Sequence, residues 1–366
     1  MLTTKKKLVI LVCMLGFIIG ISFYFHLYKR SPISIPSNSP ESSDVSVFEN
    51  IQSPPAKPDG VTLVTPPISK VLSNDYHIYQ TFNNCGPAAL SMALSYFDIK
   101  VSQQVLGQAL RPYQNAKGDN DDKSTTLQEL AAEAEKYNLI AYHRPNGDVA
   151  LLKKFITYDM PVITRTWLKL NDDIGHYRVV KGYDDATRVV IQDDSLQGKN
   201  LEYSYEEFDS LWGKFGNEYL VLVPKDKKDI AEAILGENLD SKVSWEIAVS
   251  NYKKKVELNP ADVSLRLNLS VALFNVGDYE GSVKEFEQVE AKLPFRALWY
   301  QIEPIQAYFE LKKYDRVLFL TDKILDNQNK AFSELYLLRG QVFLKQGQMD
   351  LAEQEFEKAV FYNSST

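Results

Sequence analysis

The chain has 366 residues, a formal net charge of -7 and no block of basic residues after the first thirty. This length predicts two or three domains, and the acidic balance argues against a nucleic-acid partner. Of the two cysteines, Cys13 lies in an apolar N-terminal run, so Cys85 has no partner for an internal disulfide. Because no Cys-x-x-Cys pair occurs and the four histidines are scattered, we expect neither a metal site nor a cofactor.

Residues 1–30 are predicted to form a transmembrane anchor. Lys5–Lys7 precede an almost unbroken apolar run over 8–28, which has about the length that spans a bilayer, and Lys29-Arg30 follow it. The run is longer than that of a cleavable signal peptide, and no clear cleavage site follows. We therefore expect a single-pass helix with the soluble domains on the extracytoplasmic side. Residues 31–70, rich in Ser and Pro, are predicted to be an extended linker.

Residues 71–225 are predicted to form an α+β domain in which helices come first and an antiparallel sheet follows. Apolar spacing and capping residues predict helices over 84–97, 102–110, 125–137 and 149–158. Runs rich in β-branched and aromatic residues predict strands over 139–143, 161–170, 175–183, 188–194 and 218–223.

The acidic run Asp119–Asp122 lies in a polar loop between two of these helices. It lacks the distal Glu and the spacing of a calcium-binding loop, so we interpret it as a solvated turn.

Cys85 falls at the start of the first predicted helix. Asn84 is a favourable N-cap residue, and Pro87 is tolerated in a first turn. The backbone N–H groups and the helix dipole at this position favour a thiolate, so we expect the pKa of the Cys85 thiol to fall. The alternative is a small buried cysteine that only packs.

His176 and Asp193 are equally distant from the Asp184-Asp185 turn. In a symmetric antiparallel hairpin these two residues would face each other, and a carboxylate beside an imidazole fixes its tautomer and stabilises the imidazolium. Because neighbouring side chains on a strand point to opposite faces, Asp194 is expected to face solvent.

Gln80 lies five residues before Cys85. Its amide and the Cys85 backbone N–H could together donate to the oxyanion that forms when a thiolate attacks a carbonyl. Cys85, His176 and Asp193 with Gln80 therefore form a set typical of nucleophilic cysteine catalysis.

Three segments carry a family resemblance: Gln80 to Ala88, Gly175 to Asp184 and Ile191 to Asp193. They resemble the bacteriocin-leader-processing cysteine peptidases, which belong to the papain-like superfamily, over about residues 74–224. The resemblance implies that Cys85 is the nucleophile, His176 the general base and then acid, Asp193 its orienter and Gln80 the oxyanion-hole residue.

Two features of this chain differ from the pattern of that family. Its catalytic Asp is usually followed by Pro, whereas Asp194 follows here. No transporter or ATP-binding domain is attached, so we do not expect cleavage of double-glycine leaders during export.

Residues 226–366 are predicted to form a tetratricopeptide-repeat array. Similar positions recur at 248, 282, 317 and 352, in steps of 34, 35 and 35. Gly236 and Gly340 each stand twelve residues before a repeat position, and Pro304 interrupts a helix in the middle of the array. The pattern resembles paired antiparallel helices, whose concave face holds a peptide or a partner protein. A plain helical bundle is the alternative.

Together these features predict a membrane-anchored thiol peptidase whose repeats recruit a peptide or protein substrate or a protein partner. One alternative is a catalytically silent papain-like scaffold that only binds peptides. Another is an acyltransferase or amidase that uses the same residues, because all of these reactions begin with the same thioester.

Overall fold

The structure is a computed structural model that describes residues 60–113, 115, 117, 125–326 and 329–365. The predicted anchor, most of the predicted linker and the acidic run Asp119–Asp122 lie outside the described residues. Within those residues, every helix is too short or too polar to cross a bilayer.

Seven strands in the described part of the chain form one antiparallel sheet. They are β1 Ser69–Val71, β2 Ile140–Arg144, β3 Val162–Trp167, β4 Gly175–Asp184, β5 Val189–Asp194, β6 Gly198–Ser204 and β7 Tyr219–Val223. Their order is β2-β7-β3-β4-β5-β6, and β1 pairs with the end of β4 that β3 leaves uncovered. The sheet that was predicted to follow the first helices is therefore confirmed.

Five helices cover the two faces of this sheet. They are α1 Cys85–Ser95, α2 Gln103–Leu110, α3 Leu127–Glu135, α4 Val149–Thr157 and α5 Tyr205–Trp212. Alternation along the strands divides the core into two layers. The layer beneath α1 and α3 contains Ile163, Tyr177, Val179, Leu220 and Leu222. The layer beneath α4 and α5 contains Val162, Val180, Val190, Val221 and Val223.

Two of these helices begin as the sequence predicts. The Ser102 hydroxyl accepts from the Val105 N–H at the start of α2. Thr126 and Glu129 form a reciprocal capping box at the start of α3. Strands β1 and β6 and helix α5 were not predicted, and β1 begins at Ser69, within the predicted linker over 31–70.

The C-terminal part of the chain is helical. Its helices are α6 Lys228–Leu235, α7 Ser241–Leu258, α8 Val263–Asn275, α9 Tyr279–Glu287, α10 Ala297–Tyr300, α11 Glu303–Glu310, α12 Tyr314–Leu325, α13 Ser333–Lys345 and α14 Met349–Tyr362. Pro304 lies in the first turn of α11, and the four-residue α10 precedes it.

The two glycines singled out by the repeat pattern differ in their surroundings. A Cβ at Gly340 would lie within 2.6 Å of the Phe356 ring, so glycine lets α13 and α14 approach closely. Gly236 instead follows α6 with φ +56, and no atom of the described residues lies within 4 Å of its Cβ position. Gly340 therefore has the packing role expected of a repeat, whereas Gly236 ends a helix.

The helical region packs against the sheet at a buried arginine. Arg165 on β3 is 3% exposed, and its guanidinium lies 4.5 Å from the Phe215 ring centroid and 5.6 Å from that of Tyr300. It also donates to the Tyr300 carbonyl at 3.0 Å. The ring of Tyr300 reaches Gly175, where a Cβ would lie only 3.1 Å from Tyr300 Cε1. Tyr300 of α10 therefore contacts the first residue of β4.

A second contact joins the end of the helical region to the segment after α2. The rings of Tyr362 and Tyr113 meet edge to face at 5.0 Å. Asn363 donates to the Leu110 carbonyl at 3.5 Å, and Arg111 lies 3.7 Å from Glu334. The helical region therefore also touches the sheet domain at the segment after α2.

Glu303 brings a pH-sensitive carboxyl to the first of these contacts. Its Oε2 atom is buried and has no hydrogen-bond partner among the described residues. Burial, followed by the charge of Glu218, raises the pKa of Glu303 from 4.5 to about 7, although Arg165 acts in the opposite direction. The folded protein thus holds a proton on Glu303 that the unfolded chain releases, so stability falls as pH rises from about 4.5 to about 7.

Glu303→Gln is therefore expected to stabilise the protein at pH 8 by roughly 1–3 kcal/mol, and by less at pH 5. Urea unfolding at the two pH values measures the difference. Glu310→Gln, an exposed substitution on the same helix, is the matched control and should change little at either pH. An equal gain at both pH values for Glu303→Gln would contradict the assignment.

Candidate active site

A buried glutamine organises the turn that precedes Cys85. Gln103 on α2 accepts from the Thr81 N–H at 2.8 Å and donates to the Tyr79 carbonyl at 2.8 Å. The Asn84 side chain donates to the Thr81 hydroxyl at 2.7 Å. Asn84 thus precedes the helix but its side chain does not cap it, contrary to the prediction, because it stabilises the turn instead. Cys85 is the first residue of α1.

Gly86 and Tyr177 bring the start of α1 close to β4. A Cβ at Gly86 would overlap Thr125 Oγ1, so only glycine allows α1 to pack this closely against the start of α3. The hydroxyl of Tyr177, which lies on β4, donates to the Thr125 carbonyl. Since Tyr177 follows His176, this packing brings His176 and Cys85 together.

The Cys85 thiol and the His176 imidazole are hydrogen bonded to each other. Both are buried, with exposed fractions of 9% for Cys85 and 1% for His176. His176 also donates from Nε2 to Asp194 Oδ1 at 2.9 Å. Since Nε2 is used in this way, Nδ1 is the ring nitrogen left for the thiol.

Asp194 is held by several groups at once. Its Oδ1 accepts from the backbone N–H groups of Leu196 at 2.7 Å and Gln197 at 2.9 Å, in addition to His176. Its Oδ2 lies 3.0 Å from Arg178 Nε, and the residue has no exposed surface. The carboxylate is therefore held by hydrogen-bond donors at Oδ1 and by the ion pair with Arg178 at Oδ2.

The prediction that Asp193 faces His176 and that Asp194 faces solvent is wrong. The predicted turn was at Asp184-Asp185, but β4 runs through Asp184, which pairs with Val189. A bulge at Lys181 then moves the register back by one residue.

The resulting register determines which face each acidic residue occupies. Asp194 lies opposite Arg178, which is on the same face as His176, and Asp193 lies opposite Val179. Asp193 instead forms a buried ion pair with Lys181, with Nζ 2.7 Å from Oδ1, and accepts from the Asn200 N–H at 2.9 Å.

The protonation of the pair is biased by these contacts. Burial lowers the pKa of His176, but the hydrogen bonds to Asp194 and Cys85 outweigh it, and the pKa of His176 is raised overall. Burial raises the pKa of Asp194, but the hydrogen bond from His176 and the charges of His176 and Arg178 bring it down to about 2. The arrangement thus favours an imidazolium next to a carboxylate.

Gln80 lies beside the end of β5. Its backbone N–H donates to the Ser195 carbonyl at 2.9 Å, and its side-chain Oε1 accepts from the Ser195 hydroxyl at 2.8 Å. His77 donates from Nε2 to the Asp194 carbonyl at 3.0 Å. The segment before Cys85 therefore runs along the residues that follow the paired carboxylate.

The other histidine of the sheet lies away from this site. His143 Nε2 is 2.9 Å from Glu218 Oε2, and its ring meets that of Trp245 at 6.5 Å. In the part of the chain that the structure describes, no group of three or more His, Cys, Asp and Glu side chains could hold a metal ion.

Sequence reasoning missed three residues of this site: Asp194, Arg178 and Ser195. Because side chains alternate along β4, Arg178 lies on the same face as His176, and this alternation is the sequence signal that could have identified Arg178. No comparable local pattern marks Ser195.

Comparison with known families identifies two parts of the chain. Residues 66–220 match the Peptidase_C39 like family. Residues 333–364 match a tetratricopeptide repeat. The resemblance predicted from the sequence is confirmed by these two matches. No curated protein matches the chain.

Several solved structures share similarity with part of the chain. A C39-like peptidase from Bacillus anthracis is 20% identical, with a TM-score of 0.37, over 43% of this chain and 98% of that one. The peptidase domain of Streptococcus ComA, an ABC transporter, is 22% identical, with a TM-score of 0.32, over 40% of this chain and 97% of that one. A double glycine motif protease from an AMS/PCAT transporter, crystallised with its leader peptide, is 22% identical with a TM-score of 0.32, over 45% and 100% of the two chains.

Proposed function

Because residues 66–220 match the Peptidase_C39 like family, we propose that this protein is a papain-like cysteine peptidase that uses Cys85, His176 and Asp194. The observation that carries the proposal is the continuous hydrogen-bonded series from the Cys85 thiol through His176 to Asp194 Oδ1. Asp194 takes the role that the sequence resemblance assigned to Asp193.

The first step is formation of the nucleophile. His176 Nδ1 accepts the proton of the Cys85 thiol, giving a thiolate and an imidazolium. The Asp194 carboxylate stabilises that imidazolium through Nε2 and keeps the ring oriented toward the sulfur. The position of Cys85 at the start of α1 favours the thiolate further, through the helix dipole.

The thiolate then attacks the carbonyl carbon of a peptide bond. A carbon–sulfur bond forms and the carbonyl π electrons move to oxygen, giving a tetrahedral oxyanion. The oxyanion collapses, the carbonyl re-forms and the carbon–nitrogen bond breaks, while the His176 imidazolium gives its proton to the departing amine. The product is a thioester on Cys85 and a free amine.

The oxyanion is stabilised by two donors, the Nε2 amide group of Gln80 and the backbone N–H of Cys85. Each such donor is typically worth about 10²–10³-fold in rate. Since Gln80 Oε1 is occupied by the Ser195 hydroxyl, its NH₂ group is the end that serves the oxyanion.

Water completes the reaction. Neutral His176 removes a proton from water as the water oxygen attacks the thioester carbon. The carbon–sulfur bond breaks and the thiolate leaves, which releases a carboxylic acid and restores the starting pair. An amine that replaced water in this step would turn hydrolysis into acyl transfer.

We assign the repeats the task of recruiting the peptide or protein substrate, or a protein partner. Their contact with Gly175, next to His176, supports a position beside the site of reaction. A membrane anchor over residues 1–30, with the peptidase on the extracytoplasmic side, completes the proposed arrangement.

A peptide-library digest tests the function. The full-length protein and its Cys85→Ala variant are incubated with the same library, and new termini are identified by mass spectrometry. We expect cleavage by the wild type alone. Peptides that bind both forms without being cleaved would favour the silent scaffold, and joined peptides without new carboxyl termini would favour acyl transfer.

A further inference from the structure

Ser195 is a buried residue next to both Asp194 and Gln80 of the proposed site. It has no exposed surface, and it directly follows Asp194, the partner of His176. Its hydroxyl donates to Gln80 Oε1 at 2.8 Å while its carbonyl accepts from the Gln80 N–H at 2.9 Å. Ser195 therefore holds Gln80 by both backbone and side chain.

The orientation of the Gln80 amide matters because its two ends have opposite effects on an oxyanion. The NH₂ end donates a hydrogen bond to negative oxygen, whereas the carbonyl end repels it. A hydroxyl that donates to Oε1 favours the rotamer in which Nε2 points away from Ser195. A donor that is oriented beforehand costs no reorganisation when the oxyanion forms.

We propose that Ser195 is a positioning residue that orients the Gln80 amide toward the oxyanion. Since Asp194 orients His176, two consecutive residues then orient the general base and the oxyanion donor. This inference rests on the proposed function, in which Cys85 is the nucleophile and Gln80 an oxyanion donor. Ser195 itself does not touch the reacting atoms in this proposal.

Two chemical probes separate the positioning role from a merely structural one. Acylation of Cys85 by p-nitrophenyl acetate passes through an oxyanion, whereas alkylation by iodoacetamide displaces iodide at a saturated carbon and forms none. Both reactions need the thiolate. Loss of an oxyanion donor should therefore slow acylation and leave alkylation unchanged.

The experiment measures both rates at Cys85 in the full chain. Gln80→Ala is expected to lower the acylation rate about 10²-fold. Ser195→Ala should lower it roughly 10-fold, since a misoriented donor retains part of its effect. The double variant should be no slower than Gln80→Ala, because Ser195 acts only through Gln80. All three should be alkylated at the wild-type rate.

Ser210→Ala, an exposed serine on α5, is the matched control for the loss of a hydroxyl. It should acylate and alkylate at wild-type rates. Ser195→Gly provides the same test if Ser195→Ala does not fold.

Three results would overturn the Ser195 proposal alone. They are wild-type acylation in Ser195→Ala, a full additional 10-fold loss in the double variant, and a loss of acylation matched by an equal loss of alkylation. Failure of the proposed function looks different: Cys85→Ala would release p-nitrophenol as fast as the wild type, or His176→Ala would leave both rates unchanged. Either of those results would overturn both proposals.

Discussion

Asp194→Asn is expected to lower the rate of peptide hydrolysis by about 10³–10⁴-fold at neutral pH. An asparagine has nearly the same shape, but it carries no charge to stabilise the imidazolium of His176. The pKa of Asp194 is about 2, so the wild-type carboxylate is ionised throughout the range in which a peptidase is assayed. The loss should therefore appear in kcat with little change in KM.

Asp193→Asn is the comparison variant, because it removes the neighbouring carboxylate. Asp193 pairs with Lys181 and has no contact with His176 among the described residues, so Asp193→Asn is expected to affect stability far more than the rate of each folded molecule. Asp226→Asn, at an exposed position, controls for the loss of one negative charge. Rates are compared per folded molecule, with folding measured by circular dichroism. A larger loss in Asp193→Asn than in Asp194→Asn would contradict the assignment.

Tyr300→Ala is expected to lower the free energy of unfolding by about 3–5 kcal/mol, as for other large buried aromatic side chains. The Tyr300 ring fills the space against Gly175 and Phe215 and lies over the Arg165 guanidinium. Its removal would leave a cavity beside a buried charge. Because Gly175 precedes His176, the variant should also lower the rate of hydrolysis at temperatures where it is still folded.

Urea unfolding and peptide hydrolysis measure the two effects of Tyr300→Ala. Phe319→Ala is the matched control: this aromatic residue of α12 is 56% exposed, so we expect a loss below about 1 kcal/mol and an unchanged rate. Equal stability losses in the two variants would contradict the view that α10 supports the strand carrying His176.

The parts of the site that follow from local patterns could be predicted from the sequence. Cys85 was expected at a helix start because polar turn residues precede an apolar run with helical spacing, and it is the first residue of α1. His176 was expected on a strand because β-branched and aromatic residues surround it, and it lies in β4. Each inference needs only about ten neighbouring residues.

The identity of the carboxylate could not be predicted in this way. Strand register depends on where the turn begins and on a bulge at Lys181, and an error of one residue moves a side chain to the other face. The bulge gives no clear sequence signal. The structure is therefore needed to distinguish Asp194 from Asp193.

Contacts between distant segments are the least predictable. The hydrogen bond from Arg165 to Tyr300 joins residues 135 positions apart. The bond from Ser195 to Gln80 spans 115 positions. Periodicity, turn-forming residues and charge patterns in the sequence do not indicate either of these two contacts.

The pH dependence of Cys85 alkylation tests the central claim most directly. Wild type and His176→Ala are treated with iodoacetamide between pH 5 and pH 10, and the modified peptide carrying Cys85 is measured by mass spectrometry. The pairing with His176 predicts rapid alkylation of the wild type well below the ordinary thiol pKa of about 8.5, and a shift of the profile toward that value in His176→Ala. Identical profiles centred near pH 8.5 in both proteins would show that Cys85 is an ordinary buried thiol and would contradict the account.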